Sequence, residues 1–229
     1  MNYVEMKPHE IDRVLATRPI AIIPWGSHEW HGKHCAIGLD TLKCYEQALA
    51  ICRETGGVVL PPVYCGFQTM KPHAGFKHTL EFRRETVKDL ARQYLEQLRD
   101  EGFRVICVIM GHYGHKHVRA IKQVCEDFIE DYPDVRVWAF TDYEPTMDEG
   151  FGGDHAGVNE TSLLMYLRPE LVDLSLLPQG DDIDWRAEGI GTGSADLRKE
   201  ASPERGKQIL DILVRNASER INALLAEVA

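Results

Sequence analysis

Carboxylate and imidazole side chains that could bind metal ions directly follow a short apolar run near the start of the chain. Glu29 and His31 lie in residues 24–34, PWGSHEWHGKH, and Asp40 follows nine residues after His31. Residues 20–23, IAII, precede them and have the pattern of a buried strand. A carboxylate can bridge two divalent cations, and sites of this mixed type accept zinc, manganese or iron. The spacing therefore predicts a metal site at the end of a strand.

Two further clusters of polar residues occur later in the chain. His112 follows a second apolar run, residues 105–110, in the segment 111–115, GHYGH. His155 and Glu160 lie in residues 154–162, DHAGVNETS. Metal ions can both activate a water molecule and polarise a carbonyl group. Three such clusters in one acidic chain therefore favour a metal-dependent hydrolase.

The apolar patterns around these clusters alternate between strand and helix. The predicted strands are 20–23, 58–60, 105–110 and 135–140, and the predicted helices are 42–52, 85–98, 117–130, 160–167 and a long helix with Ser202 as N-cap. This alternation predicts an α/β protein, a three-layer α/β/α sandwich with a mostly parallel central sheet. In such sheets, sites form at the carboxyl ends of the strands. Residues 177–201 are interpreted as loops near the site, and residues 1–229 as a single domain.

Composition limits the classes of partner. The chain has 229 residues, a net charge of −10 and 44% hydrophobic residues, so we expect neither a nucleic-acid nor a membrane partner. The first residues lack a signal-peptide pattern, and no apolar run approaches the roughly 20 residues of a membrane helix. The six cysteines form no CxxC pair. We therefore expect a cytoplasmic protein.

The three clusters together resemble the motifs of the creatininase (creatinine amidohydrolase) family. Its first motif pairs Glu and His around one residue, with an Asp eleven positions after the Glu, as in Glu29, His31 and Asp40. Its second motif, a His after a Gly at a strand end, is matched by residues 111–112. Its third, His-Ala-Gly, two variable residues and Glu-Thr-Ser, is matched by residues 155–162. The resemblance runs from about residue 24 to the C-terminus and implies a creatininase-like fold.

The resemblance also implies a ligand set for two divalent metal ions, with zinc, manganese and iron as the candidates. Glu29 and His112 would bind one ion and His31 the other, with Asp40 as the bridge. Creatininase has a ligating Glu two residues after the strand-end His, where this chain has Gly114. We expect Glu160 to supply the missing carboxylate, the alternative being a carboxylate stabilised by a helix N-terminus.

The remaining expected roles concern catalysis and the substrate. His155 matches the family's catalytic His, which donates a proton to the leaving nitrogen, and Glu160 is assigned to catalysis as well. The alternative to a catalytic role for His155 is a purely structural one. The residues expected to bind substrate are His73, Thr79, Tyr113, Tyr143 and Phe151. Tyr143 and Phe151 replace tryptophans of creatininase, which predicts a substrate other than creatinine.

The expected function is hydrolysis of a C–N amide bond in a small cyclic amide or formamide by a metal-bridging hydroxide. One alternative is a family hydrolase of a cyclic sugar-derived ketone. Another is a non-catalytic relative that binds a metal or ligand without turnover. The resemblance also implies a homo-oligomer, a hexamer like the creatininases.

Overall fold

Four parallel strands form one sheet within the part of the chain that the structure describes. The computed structural model describes residues 1–191 and 195–228, except for the side chains of His73 and Ala74. The strands are β1 (Ile20–Trp25), β2 (Val58–Val59), β3 (Val105–Met110) and β4 (Arg136–Thr141). Their order is β2-β1-β3-β4. All six residues of β1 and of β3 are buried, as expected for the central strands of a sheet that is covered on both faces.

Helices connect the strands and follow the sheet. They are α1 (Pro8–Thr17), α2 (Leu39–Thr55), α3 (Met70–Ala74), α4 (Arg84–Glu101), α5 (His115–Asp131), α6 (Val158–Leu167), α7 (Leu197–Glu200) and α8 (Pro203–Ala226). Short 3-10 helices lie at Tyr3–Glu5, Glu144–Glu149, Pro169–Leu171 and Leu174–Leu176. Ser202 caps α8, since its hydroxyl accepts a hydrogen bond from Arg205 N. None of the helices described is long and apolar enough to cross a bilayer.

Alternate residues of the strands pack into two separate cores. In β3, Val105, Cys107 and Ile109 pack with residues of α2 and α8. The intervening residues of β3 pack with α1, α4 and α5 on the opposite face. Successive side chains of a strand point to opposite faces, so each strand contributes to both cores. The predicted α/β/α sandwich with a parallel sheet is confirmed.

The register of the sheet brings the strand ends together. β1 pairs with β3 from Ile20↔Val105 to Trp25↔Met110. β3 pairs with β4 so that Met110 lies opposite Thr141. Because all of these strands are parallel, the segments that begin at residues 26, 111 and 142 leave the sheet at the same edge. Two of these segments carry the predicted metal ligands.

The start of α2 packs directly against these segments. A Cβ atom at Gly111 would lie only 2.1 Å from the carbonyl oxygen of Asp40, and one at Gly26 only 2.4 Å from Thr41 N. Both positions require glycine, since any side chain would force the helix away from the sheet. The two glycines therefore allow Asp40 to lie beside the ends of β1 and β3.

The structure differs from the predicted elements mainly at helix ends. Helix α2 begins at Leu39 rather than at residue 42, so Asp40 lies in its first turn. Helix α6 begins at Val158, two residues before the predicted start, which places Glu160 in its first turn. Helix α1 was not predicted, and residues 177–201 contain the short helix α7. Residues 192–194 of that segment lie outside the described residues.

Candidate metal centre

One group of potential ligands forms where β1 and β3 end. His112 Nδ1 lies 2.7 Å from Glu29 Oε2 and 3.3 Å from Asp40 Oδ2. All three side chains are buried. The ring is oriented by its other nitrogen, because Nε2 lies 3.0 Å from the carbonyl oxygen of Phe67 and donates a hydrogen bond to it. Nδ1 then carries the lone pair that a metal ion requires.

A second group lies on the other side of Asp40. His31 Nε2 lies 2.9 Å from Asp40 Oδ1 and 3.6 Å from Glu160 Oε2. These ligand atoms come within 4.8 Å of one another, as do those of the first group. Asp40 belongs to both groups and faces each with a different oxygen. This is the arrangement that a carboxylate bridging two ions requires.

The chemistry around His31 fits a bound cation. Its Nδ1 lies 2.9 Å from the carbonyl oxygen of Glu29 and donates to it, which leaves Nε2 as the nitrogen that would bind a metal ion after losing its proton. Nε2 is buried and, among the described residues, has no partner in hydrogen-bond geometry. Burial lowers the pKa of His31, but nearby carboxylates, Asp40 first, outweigh burial and raise it to about 9. The position between these side chains thus favours positive charge, and the residues present fit a metal ion.

Each carboxylate is also held by a hydrogen-bond donor. Glu29 Oε1 accepts from Met70 N at 2.6 Å, and Asp40 Oδ2 accepts from the Ser27 hydroxyl at 2.7 Å. Glu160 Oε2 accepts from Ala156 N at 2.8 Å. Burial raises the pKa of Glu160 to about 8, although Lys43 and His31 lower it. The donors orient the carboxylates before any ion is bound.

His155 lies against the second group. Its ring centroid is 4.4 Å from that of His31, and its Nε2 lies 2.9 Å from the carbonyl oxygen of Trp30, to which it donates. Burial and the neighbouring His31 lower the pKa of His155 to about 4, so the ring is neutral near pH 7. The free Nδ1 of a neutral ring can accept a proton and later return it. One further potential ligand group contains Glu29, His31 and His155.

The sequence patterns did not indicate a lysine inside this centre. Lys43 is fully buried, and its ammonium forms ion pairs with Asp142 at 2.8 Å and with Glu160 at 3.2 Å. Burial lowers the pKa of Lys43, but Asp142 and Glu160 together raise it above its ordinary value. The one available signal was its spacing, since a residue three positions after Asp40 lies on the same face of a helix.

The residues expected to bind substrate lie in different surroundings. Tyr113, Tyr143 and Phe151 line, together with Glu160, a small cavity of about 10 Å³. Phe151 also packs with apolar residues of α6 and α8. The Thr79 hydroxyl accepts a hydrogen bond from the backbone nitrogen of Trp30 at 3.0 Å. The side chain of His73 lies outside the described residues.

Residues 188–191, in the segment expected to form loops near the site, contact residues of the centre. Gly191 N donates to the carbonyl oxygen of His155 at 2.6 Å. The Trp30 indole donates to the carbonyl oxygen of Glu188 at 2.9 Å, and its ring stacks on Phe76 with centroids 5.5 Å apart. The loop and residue 76 therefore enclose the segment that carries Glu29 and His31.

A parallel sheet with histidines and carboxylates gathered at its carboxyl edge defines a class, the α/β proteins with a candidate metal centre. Comparison with known sequences identifies the family. The creatininase family, described as creatinine amidohydrolase, matches residues 4–221 of this chain. The chain belongs to the creatininase family and is a hydrolase of that family.

Two curated relatives are similar over most of the chain. Creatinine amidohydrolase of Pseudomonas putida is 26% identical over 238 residues, which cover 91% of each chain. A mycofactocin precursor peptide peptidase of Mycobacterium ulcerans (strain Agy99) is 27% identical over 176 residues, 72% of this chain and 65% of the relative. These two relatives act on different kinds of molecule by name, so membership of the family leaves the substrate open.

Solved creatininase structures share the fold. A crystal structure of creatininase is 24% identical and superposes with a TM-score of 0.81 over 96% of each chain. A creatininase structure designated Mn is 24% identical, with a TM-score of 0.79 and the same coverage. A creatininase variant of Zn–Zn type is 25% identical, with a TM-score of 0.77 over 96% of each chain. Manganese and zinc in these names describe those creatininase structures.

Proposed function

We propose that this protein is a dinuclear metal-dependent amidohydrolase that cleaves a C–N amide bond in a small cyclic amide or formamide by a hydroxide bridging two ions. One observation carries the proposal: Asp40 presents Oδ1 to His31 and Oδ2 to His112, at 2.9 Å and 3.3 Å. Glu29 and His112 would hold one ion with Asp40. His31 and Glu160 would hold the other ion, with Asp40 again as the shared ligand. Zinc, manganese and iron are the candidate metals.

The side chains around the ligands have separate roles in the proposed reaction. When bound, a pair of ions lowers the pKa of a water molecule and polarises the carbonyl group under attack. His155 moves the proton: its Nε2–H is donated to the Trp30 carbonyl oxygen, so Nδ1 takes a proton from the water and passes it to the leaving nitrogen. Glu160 would contribute to catalysis by holding the second ion together with His31 and Asp40. The proposed ligands are all buried, which limits competing water.

Metal analysis tests the two-ion proposal. Purified protein reconstituted with Zn²⁺, Mn²⁺ or Fe²⁺ should bind two equivalents of ion per chain. Fewer than one equivalent after reconstitution would instead favour a relative that binds ligands without turnover. Asp211→Asn is a suitable control, because Asp211 is exposed and pairs only with Lys207 among the described residues.

A substrate panel tests the proposed chemistry. Tyr143 and Phe151 offer smaller stacking surfaces than tryptophan, and aromatic stacking contributes about 0.5–1.5 kcal/mol beyond burial. We expect slow turnover of creatinine and faster turnover of another cyclic amide or of a formamide. Creatinine turnover of about ten per second would contradict this proposal. Hydrolysis of a cyclic sugar-derived ketone, without release of an amine or ammonia, would support the alternative family activity.

The assembly and location are carried over from the family resemblance. We propose that residues 1–229 form one domain, that six copies form a homohexamer, and that the hexamer acts in the cytoplasm on a small-molecule substrate. Light scattering should give a mass of about six times 26.0 kDa. A monomer mass would contradict the hexamer. Unfolding in two separate steps would contradict the single domain.

A further inference from the structure

Lys43 is a charged side chain inside the candidate metal centre that the proposed mechanism does not use. Its ammonium donates hydrogen bonds to the Gly111 carbonyl oxygen at 3.0 Å, the Tyr113 hydroxyl at 2.7 Å and Asp142 Oδ2 at 2.8 Å. An ammonium group has three hydrogens, so these bonds use all of them. The cation is therefore held in one position, although lysine side chains are usually mobile.

Glu160 meets this cation with one of its two oxygens. Oε1 lies 3.2 Å from Lys43 Nζ, and it has no partner in hydrogen-bond geometry among the described residues. Oε2 accepts a hydrogen bond from Ala156 N at 2.8 Å and faces His31 at 3.6 Å. One oxygen thus faces the ammonium, and the other faces the position proposed for the second ion.

We propose that Lys43 is a positioning residue for the second metal ion, because it holds Glu160 with Oε1 turned to the ammonium and Oε2 turned to His31. This inference rests on the proposed two-ion function and adds a residue to it. Asp40 and Lys43 lie three residues apart near the start of α2. A single helical turn thereby supplies both the bridging carboxylate and the side chain that holds the next ligand.

The sign of the electrostatic effect separates this role from a merely structural one. An ammonium and a divalent cation repel each other, and the repulsion is strongest where water is excluded. Lys43 would therefore weaken metal binding if it acted on the ion alone. It strengthens binding only if it acts through Glu160. A double-mutant cycle between these two residues measures the difference directly.

The experiment is a titration of metal-free protein with Zn²⁺ in competition with a chromophoric chelator. Lys43→Met should weaken one of the two sites by roughly ten- to a hundred-fold, as supporting residues of metal ligands commonly do, and leave the other site unchanged. In the Glu160→Gln background, the same Lys43→Met change should leave that affinity unchanged or raise it. Lys122→Met is the matched control, since it removes an ion pair with Glu144 outside the ligand groups. It should bind both ions with wild-type affinity.

Three results would overturn the role of Lys43: unchanged affinity in Lys43→Met, tighter binding while Glu160 is intact, or the same loss in both backgrounds. Removing one partner of a buried pair leaves the other charge uncompensated and can unfold a protein. The double variant Lys43→Met/Asp142→Asn removes both charges of the Lys43–Asp142 pair. The results expected for it, and the results that would contradict the role of Lys43, are the same as for Lys43→Met. A wild-type protein that binds fewer than two Zn²⁺ ions would overturn the two-ion function together with this role. Two ions in the wild type with full affinity in Lys43→Met would overturn the role of Lys43 alone.

Discussion

Replacing Asp40 tests the central feature of the site, a carboxylate shared between two ligand groups. Asp40→Asn keeps the size of the side chain and can keep the hydrogen bond from Ser27. An amide oxygen is a poorer metal ligand than a carboxylate, so each of the two proposed ions would lose one of its three proposed ligands. His31→Ala removes a ligand of the second group and leaves the first group, Glu29, Asp40 and His112, complete. The two variants should therefore differ in how many ions they affect.

The size of the effect follows from the number of ligands. Zinc sites with full ligand sets have apparent binding free energies of about 10 kcal/mol or more. Divided among three protein ligands, this is about 3 kcal/mol for each ligand, or roughly a hundred-fold in affinity. Asp40→Asn should weaken both ions about a hundred-fold, and His31→Ala should weaken one ion by the same factor.

The assay is a competition titration with Zn²⁺, checked by metal analysis of the dialysed protein. Circular dichroism must show that each variant is folded. The reasoning is refuted if folded Asp40→Asn holds two ions with wild-type affinity, or if it loses one ion only. Asp211→Asn provides the control, because it makes the same acid-to-amide change on the exposed side of α8. It should bind both ions normally.

Three more predictions concern the support of the site. Gly111→Ala should push α2 and Asp40 away from the strand ends. It should lower the free energy of unfolding by about 1–3 kcal/mol and weaken the binding of both ions, as measured by thermal unfolding and Zn²⁺ titration. Gly152→Ala is the control, because a Cβ atom there meets nothing within 4 Å. Asp154→Ala removes hydrogen bonds from Asn159 N and Glu160 N at the start of α6. It should lower stability by about 1–2 kcal/mol and weaken one ion; calorimetry showing no loss would contradict this. A chelator should lower the unfolding temperature of the metal-loaded protein. Each ion present at a thousand times its Kd contributes about 4 kcal/mol to the free energy of unfolding. An unchanged unfolding temperature in calorimetry would count against bound ions.

The central strands β1 and β3 could be predicted because their burial is complete. β1 and β3 are continuous apolar runs, which is the pattern of strands covered on both faces. The start of α2 could not be predicted in the same way. Its first five residues bury Asp40, Thr41 and Lys43, so much of the face toward the protein is polar and the amphipathic signal is lost there. When the first residues of a helix bury polar side chains, the apolar pattern that would predict the start of the helix is missing.

The convergence of the clusters could also be predicted, whereas the role of Lys43 could not. Glu29 and His112 follow neighbouring parallel strands, and such strand ends meet at one edge of a sheet. Lysine is almost never fully buried unless it is paired. The partners of Lys43 here are Asp142, which follows β4, and Glu160, which lies on α6. Nothing in the local pattern of α2 indicates either partner.

The absence of a ligand at residue 114 explains why α6 matters to this site. A Cβ atom at Gly114 would lie 2.9 Å from His112 Nε2 and 2.9 Å from the carbonyl oxygen of Gln68, so a glutamate there would displace a proposed ligand. In the proposed ligand set, helix α6 supplies Glu160 instead, and the turn before it is under strain, since Ala156 has a φ of +52°. The Asp154 carboxylate holds the first turn of α6, because it accepts hydrogen bonds from the backbone nitrogens of Asn159 and Glu160. The position proposed for the second ion therefore depends on how α6 begins, and an ion bound there would in turn stabilise that helix end.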